Sequence, residues 1–166
     1  GTTSGAAIAP TYLGAFKFNT NNSYGGDLSY NPTGNGGAGS LLLSGTLSDT
    51  IYELPFVPLV ETTDHTALNN AAALNSISVS SDATAMEFRS TDGRIYFSNS
   101  STGSGSTTYR GIDLDGSNED PAQTVLQWHA TGFGMSEIPQ DWADSNTGGR
   151  NLIVKAGNYG AGFYAV

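Results

Sequence analysis

Apolar residues along this chain come in short runs, separated by segments rich in Gly, Asn, Ser and Pro. The first four runs lie at 12–18, 24–30, 41–43 and 51–54. Within 12–18 the large side chains alternate with small ones, which is the period of a β-strand. Each run is too short for an ordinary helix and is bounded by turn-forming residues. The pattern therefore predicts a series of antiparallel strands joined by tight turns, a β-meander.

The same pattern returns twice further along the chain. We place the three meanders at about 11–60, 76–114 and 121–166, with an extended N-terminal arm at 1–10. Apolar strands centred on Leu43, Phe97 and Val154 recur about every 55 residues, close to the repeat length of β-propeller blades. The sequence predicts one all-β domain over 11–166, built from three antiparallel meanders in a propeller-like or sandwich arrangement.

Turn and helix signals refine this picture. The Gly- and Asn-rich stretch 31–37 predicts a turn, and Asp92-Gly93 predicts a hairpin between alternating runs. Good helix formers with apolar spacing at 63–74 predict a short helix or a helical turn, which would be the only one of the chain. The stretch 140–144 is interpreted as a turn or one helical turn.

Composition narrows the class of protein. Charged residues make up 13% of the chain and the formal net charge is −9, with six scattered Lys and Arg residues. Without a basic patch we expect no nucleic acid partner and no anionic membrane surface. No apolar run reaches the ~18 residues of a membrane-spanning helix, so no membrane insertion is expected. A surface rich in Ser, Thr and Asn but poor in charge is typical of extracellular, cell-surface and virion β-proteins.

One loop has the composition of a cation site. Oxygen-bearing side chains alternate around a Gly turn at 113–120, and Ca²⁺ takes roughly six to eight such ligands. The candidate ligands are Asp113, Asp115, Asn118 and Asp120. The alternative is a solvated acidic turn, and the expected cofactor is either none or Ca²⁺.

Candidate catalytic and ligand-binding residues are few. The acidic pair Glu137 and Asp141 is a weak candidate for glycoside hydrolysis, which needs two carboxyls across a cleft. Trp128, Trp142 and Tyr109 are candidates for stacking on sugar rings, or else for packing between sheets. The two histidines, at 65 and 129, lie in no metal or triad motif. An enzyme is therefore the less favoured class.

Several segments resemble a known group of proteins. The sequence Tyr-Gly-Gly-Asp-Leu-Ser-Tyr-Asn-Pro at 24–32 and Glu-Ile-Pro-Gln-Asp-Trp at 137–142 carry the likeness. They are similar to an uncharacterised family of secreted bacterial β-propeller-like proteins, over roughly 12–60 and 132–164. The resemblance implies blades arranged in a ring of about four to eight. It implies no activity and no catalytic residue.

Three meanders are too few to close such a ring, which leaves three interpretations. The chain is a fragment, or other chains complete it, or it is a sandwich that shares the motifs. Unpaired edges and an apolar blade face favour association with other protein chains. The leading hypothesis is an extracellular, non-enzymatic structural or binding module that acts through assembly. The alternatives are a carbohydrate-binding module, assisted by Ca²⁺ or not, and a fragment of a glycan-degrading enzyme.

Overall fold

The structure, a computed structural model, describes residues 11–18, 25–45, 49–99, 107–126, 134–156 and 162–166. Within these ranges the strands are β1 (Gly25–Asn31), β2 (Ser40–Gly45), β3 (Thr50–Pro55), β4 (Asn75–Ser78), β5 (Ala85–Arg89), β6 (Arg94–Asn99), β7 (Thr107–Ile112), β8 (Gln123–Leu126), β9 (Met135–Glu137), β10 (Leu152–Ala156) and β11 (Gly162–Ala165). The helical elements are α1 (Gly34–Gly37), a 3₁₀ turn (His65–Ala67) and α2 (Gln140–Asn146). The predicted arm at 1–10 lies outside the described residues.

The strands form three antiparallel sheets in which each strand pairs with its neighbour along the chain. The first sheet has the order β1-β2-β3-β4, the second β5-β6-β7-β8 and the third β9-β10-β11. Every named pairing is antiparallel. The predicted all-β fold of three antiparallel meanders is therefore confirmed.

The predicted repeat corresponds to equivalent strands, although the meander boundaries are displaced. Leu43, Phe97 and Val154 lie on β2, β6 and β10, the second strand of each sheet. β4, however, pairs with β3 in the first sheet, and β8 pairs with β7 in the second. The sequence places both strands in the following meander, because their local pattern identifies a strand without identifying its partner.

Residues 12–18 do not form the predicted strand of the first sheet. Their pairing consists of two isolated bridges, antiparallel between Ala15 and Val60 and parallel between Lys17 and Asn70. Two bridges of opposite sense cannot belong to one ladder. The segment instead lies over the first sheet, where Phe18 packs edge-to-face on Tyr52 with ring centroids 5.3 Å apart.

The turn predictions hold better than the helix predictions. In α1 the backbone of Asn35 and Gly36 is left-handed, with φ of 50° and 66°, as expected for a Gly- and Asn-rich turn. Gly93 adopts φ 73° in the β5–β6 hairpin. The helix predicted at 63–74 is reduced to the 3₁₀ turn His65–Ala67, and the longer helix is α2. A helical turn, one of the two predicted forms, is therefore present within 63–74, whereas the prediction that it is the only helical segment is wrong.

The first and second sheets pack face to face around the larger core. Residues directly opposite each other on antiparallel strands share a face, so Leu42, Ile51 and Ile77 of the first sheet point the same way. They meet side chains of the second sheet, which include Met86, Phe88, Ile95, Phe97 and Ile112. This buried layer holds β1–β4 against β5–β8.

A smaller core joins the other face of the second sheet to the third sheet. Ala85 and Tyr96 pack there with Met135, Leu152 and Val154. The sheets are therefore stacked in chain order, and β1 contacts β5 while β5 contacts β9. Successive first strands lie side by side, as they do in neighbouring blades of a propeller. None of the helices in the described ranges has the length and apolar character that a membrane crossing needs.

We predict that the substitution Phe97→Ala strongly destabilises the protein. Phe97 is 1% exposed between two sheets, and truncation of such a ring costs about 3–5 kcal/mol. Phe163, which is 78% exposed, provides the matched control, and in dilute, monomeric protein Phe163→Ala should change stability by less than about 0.5 kcal/mol. Urea unfolding measures both, and similar losses in the two variants would contradict the assigned core.

Candidate functional site

Side chains of β1 satisfy the backbone at the edge of the second sheet. Asp27 and Ser29 alternate along β1 and point toward β5. The Asp27 Oδ2 atom accepts from the Met86 N–H at 3.0 Å, and the Ser29 Oγ atom accepts from the Phe88 N–H at 2.8 Å. β5 is an edge strand, so these N–H groups have no neighbouring strand to bind. Buried N–H groups need an acceptor, and two side chains of the preceding sheet supply it.

Glu87 makes the equivalent contact between the second and third sheets. Its Oε1 atom accepts from the Glu137 N–H at 3.1 Å, on the edge strand β9. Its Oε2 atom accepts from the Ser29 hydroxyl at 2.8 Å. A single carboxylate on β5 is therefore hydrogen-bonded to both flanking sheets.

The Glu137 carboxylate fixes the β5–β6 hairpin to the third sheet. It accepts from the Ser90 N–H and hydroxyl, both at 2.8 Å, and from the Thr91 N–H and hydroxyl at 3.3 and 2.6 Å. The Asn151 amide donates to it at 3.2 Å and to the Thr91 hydroxyl at 2.9 Å. Five hydrogen-bond donors surround this carboxylate, so it has a structural role, which is to hold the hairpin against the third sheet.

The pKa values of Glu87 and Glu137 are shifted in opposite directions. Burial raises the pKa of Glu87, and the nearby carboxylates of Asp27 and Glu137 add to the rise against the hydrogen bonds that it accepts. Burial alone would also raise the pKa of Glu137. The hydrogen bonds from Thr91 and Ser90 outweigh that effect, so the pKa of Glu137 is lowered. Glu137 therefore ionises at a lower pH than an ordinary glutamate, and Glu87 at a higher pH.

A groove of about 560 Å³ lies where the C-terminal ends of β1, β5 and β9 converge. Its polar lining includes Glu87, Ser90, Thr91, Glu137, Gln140 and Asn151. Its apolar lining comes from Tyr30, Pro32, Phe88, Ile138 and Pro139. The volume lies within the range of small-molecule sites, about 300–1,000 Å³. This groove, which we call the axial groove, is the candidate functional site.

Only one residue of the predicted acidic pair lines the axial groove. Glu137 lines it, whereas Asp141 lies on the exposed α2 and is not among its lining residues. The Asp141 Oδ1 atom accepts from the Trp142 N–H at 2.9 Å in the first turn of that helix. The second carboxylate of the groove is Glu87. Glu137 and Asp141 thus lie in different surroundings, and catalysis by this pair stays a prediction.

The predicted calcium loop folds around an arginine. The Arg94 guanidinium donates to Asp113 and to Asp120, both at 2.8 Å, and these contacts raise its pKa. Asn118 donates its amide to Asp113 at 2.7 Å, while Asp115 accepts from the backbone and hydroxyl of Ser117. In the described ranges, no three His, Cys, Asp or Glu side chains are grouped so that they could hold a metal ion. Calcium at this loop stays a prediction.

Two of the three predicted aromatic residues, Trp142 and Tyr109, lie within the described ranges, on α2 and β7. Trp142 is 51% exposed on α2. Tyr109 packs on the smaller core and lines a separate cavity of about 330 Å³. Trp128 and the histidine at position 129 lie outside the described residues. Sugar binding by these aromatics stays a prediction.

The residues that join the sheets were not identified from the sequence. Asp27, Ser29 and Glu87 occupy alternate strand positions next to apolar residues, which is also the pattern of solvent-facing side chains. One signal is present, since Glu87 places a carboxylate between the apolar residues Met86 and Phe88 of β5. No family model, curated protein or solved structure matches this chain.

We predict that Glu137→Gln destabilises the protein far more than Asp141→Asn. The first substitution removes the charge from an acceptor of five hydrogen bonds, and bonds to charged groups contribute about 1.5–3 kcal/mol each. We expect a loss of about 2–3 kcal/mol for Glu137→Gln and less than about 0.5 kcal/mol for exposed Asp141→Asn. Chemical denaturation measures both, and equal effects would show that the network around Glu137 contributes nothing specific.

We also predict a pH signature for Glu87. Its pKa is higher in the folded than in the unfolded chain, so the folded state binds the extra proton and this group lowers stability as pH rises through that window. Glu87→Gln removes this contribution. The free energy of unfolding of E87Q minus that of the wild type should therefore increase from about pH 4 to pH 7. Denaturation at each pH measures the difference. A constant or falling difference would show that Glu87 ionises without cost beside Asp27 and Glu137.

Proposed function

We propose that this chain is an extracellular, non-enzymatic structural module that acts by assembling with other chains through the faces of its stacked sheets. The observation that carries the proposal is the exposure of Leu28 and Tyr30 on β1, at 56% and 53%. Large apolar side chains on a strand are ordinarily covered by another layer. A further β-sheet is the layer that this fold uses elsewhere.

Strand register identifies the face concerned. Leu28 lies opposite Leu43, and Tyr30 lies opposite Leu41, on the side of the first sheet that points away from the second. The segment 11–18 covers this side near β3, where Phe18 contacts Tyr52. Toward β1 the side is extended by Phe56, which is 51% exposed and packs 6.0 Å from the Tyr30 ring. We call this surface the leading face.

The third sheet has an uncovered face at the opposite end of the stack. Phe163 lies opposite Lys155, and Ala165 lies opposite Ile153, on the side away from the smaller core. Phe163 is 78% exposed. We call this surface the trailing face. Within the molecule, the trailing side of each sheet packs on the leading side of the next sheet. If a second copy continues this stack, its leading face packs on the trailing face of the first copy. Such a contact is head-to-tail.

The extracellular setting rests on the low share of charged residues, 13%, and on the resemblance to a secreted propeller-like family. Both are arguments from sequence, and the family resemblance stays a prediction. Assembly in this manner supplies additional blades to an unclosed array. Catalysis is not required by any contact described above.

We predict that the wild-type protein self-associates and that Leu28→Lys weakens the association at least tenfold, because a buried charge in an apolar contact is costly. Phe163→Lys should have the same effect from the other face. Trp142→Lys is the matched control, since Trp142 is also about half exposed but lies on α2. Light scattering across a concentration series measures the mass of each variant.

Mixing the two face variants tests the polarity of the contact. An L28K copy keeps a normal trailing face and an F163K copy keeps a normal leading face, so the mixture should form a one-to-one dimer. A wild-type monomer at all concentrations would refute the assembly. Association of the wild type without recovery in the mixture would refute the head-to-tail arrangement.

A further inference from the structure

We propose that the axial groove binds a protonated organic amine, an alkylammonium group that donates hydrogen bonds to Glu87. This inference does not depend on the assembly proposed above. It follows from the hydrogen-bonding capacity, the charge and the shape of the groove lining, which all favour the same ligand.

The polar side chains that line the groove have already used their donors. Both amide hydrogens of Gln140 are engaged, by Asp144 at 2.8 Å and by the Gly149 carbonyl at 3.1 Å. Those of Asn151 are engaged by Thr91 and Glu137. The hydroxyls of Ser90 and Thr91 donate to the Glu137 carboxylate. These side chains therefore have no hydrogen left to offer a ligand.

Acceptors, by contrast, remain. Each carboxylate oxygen can accept about two hydrogen bonds, and each Glu87 oxygen accepts one, from Glu137 and from Ser29. The carbonyl oxygens of the Gln140 and Asn151 side chains are acceptors only. Since Glu137 is surrounded by five donors, Glu87 is the carboxylate with spare capacity. Apart from the Tyr30 hydroxyl, the polar side chains of this lining offer acceptors, so a ligand that fits it must supply most of the hydrogens itself.

The charge of the lining selects a cation among such ligands. Glu87 and Glu137 both line the groove and Asp27 lies close to Glu87, but no Lys or Arg is among the described lining residues. The neighbouring Arg89 is paired with Asp92 and with the Tyr96 hydroxyl. A carboxylate or phosphate ligand would be repelled, whereas an ammonium ion would offset the like charges that oppose ionisation of Glu87.

The apolar part of the lining suits an alkyl chain with a charged end. Tyr30 also lines the groove, and aromatic rings attract cations that come within about 6 Å. Pro32, Ile138 and Pro139 supply apolar surface for methylene groups. A neutral polyol would match the acceptors but would leave the excess negative charge uncompensated.

The test compares 1,4-diaminobutane with 1,4-butanediol, which has the same carbon chain and hydroxyl donors but no charge. Calorimetry on the folded wild-type protein should show one saturable site for the diamine and markedly weaker binding of the diol. In Glu87→Gln the affinity for the diamine should fall about tenfold, as expected for loss of one charge-assisted hydrogen bond. Asp141→Asn changes the net charge equally outside the groove and should leave affinity within twofold.

Three results would overturn the proposal: equal binding of diol and diamine, unchanged affinity in E87Q, or equal losses in E87Q and D141N. The last would indicate only general attraction to a protein of net charge −9. Because E87Q alters a contact between sheets, a measurement on the wild type complements it. Carboxyl NMR should show that the diamine lowers the pKa of Glu87, which faces Asp27, Ser29 and Glu137. An unchanged titration would equally refute binding at this residue.

Discussion

The stacking of the three sheets depends on hydrogen bonds between their first strands. Side chains of one first strand accept from backbone N–H groups of the first strand in the next sheet. β5 and β9 are edge strands. Without the preceding sheet, the N–H groups on their unpaired side would have no acceptor once the sheets pack. Asp27 and Ser29 accept from β5, and Glu87 accepts from β9. Apolar contact alone would allow the sheets to slide, because the hydrophobic effect is non-directional. These few directional bonds fix the position of each first strand along the length of its neighbour. A buried N–H left unpaired costs about 1–3 kcal/mol.

The same arrangement accounts for the distribution of polar and apolar residues. Apolar cores lie between the sheets, whereas carboxylates and hydroxyls concentrate where the first strands meet. Acidic acceptors suit this place because they offer several lone pairs on a short side chain. Their cost is burial and, as a smaller contribution, mutual repulsion, which together raise the pKa of Glu87. Glu87 and Glu137, which belong to these contacts, also line the axial groove, so part of its acceptor-rich character follows from the way the stack is held together.

The sequence predicted local structure well and tertiary partners poorly. Short apolar runs and Gly turns identified β2, β6 and β10 as equivalent strands, because these signals reside in neighbouring residues. The sheet to which β4 and β8 belong depends on which edge is free, and no local pattern records that. Arg94 illustrates the limit further. Its contacts with Asp113 and Asp120 span 19 and 26 residues, so no local pattern in the acidic loop indicates that an arginine of the same chain binds there.

The most direct test is native-state hydrogen exchange at the N–H groups of Met86, Phe88 and Glu137. If side chains of the preceding sheet bind them, these edge-strand amides should exchange as slowly as those of the central strand β6, and Ser29→Ala should accelerate Phe88 selectively. Exchange at all three sites as fast as in the exposed 3₁₀ turn His65–Ala67 would contradict the account. The sheets would then be held by apolar packing alone.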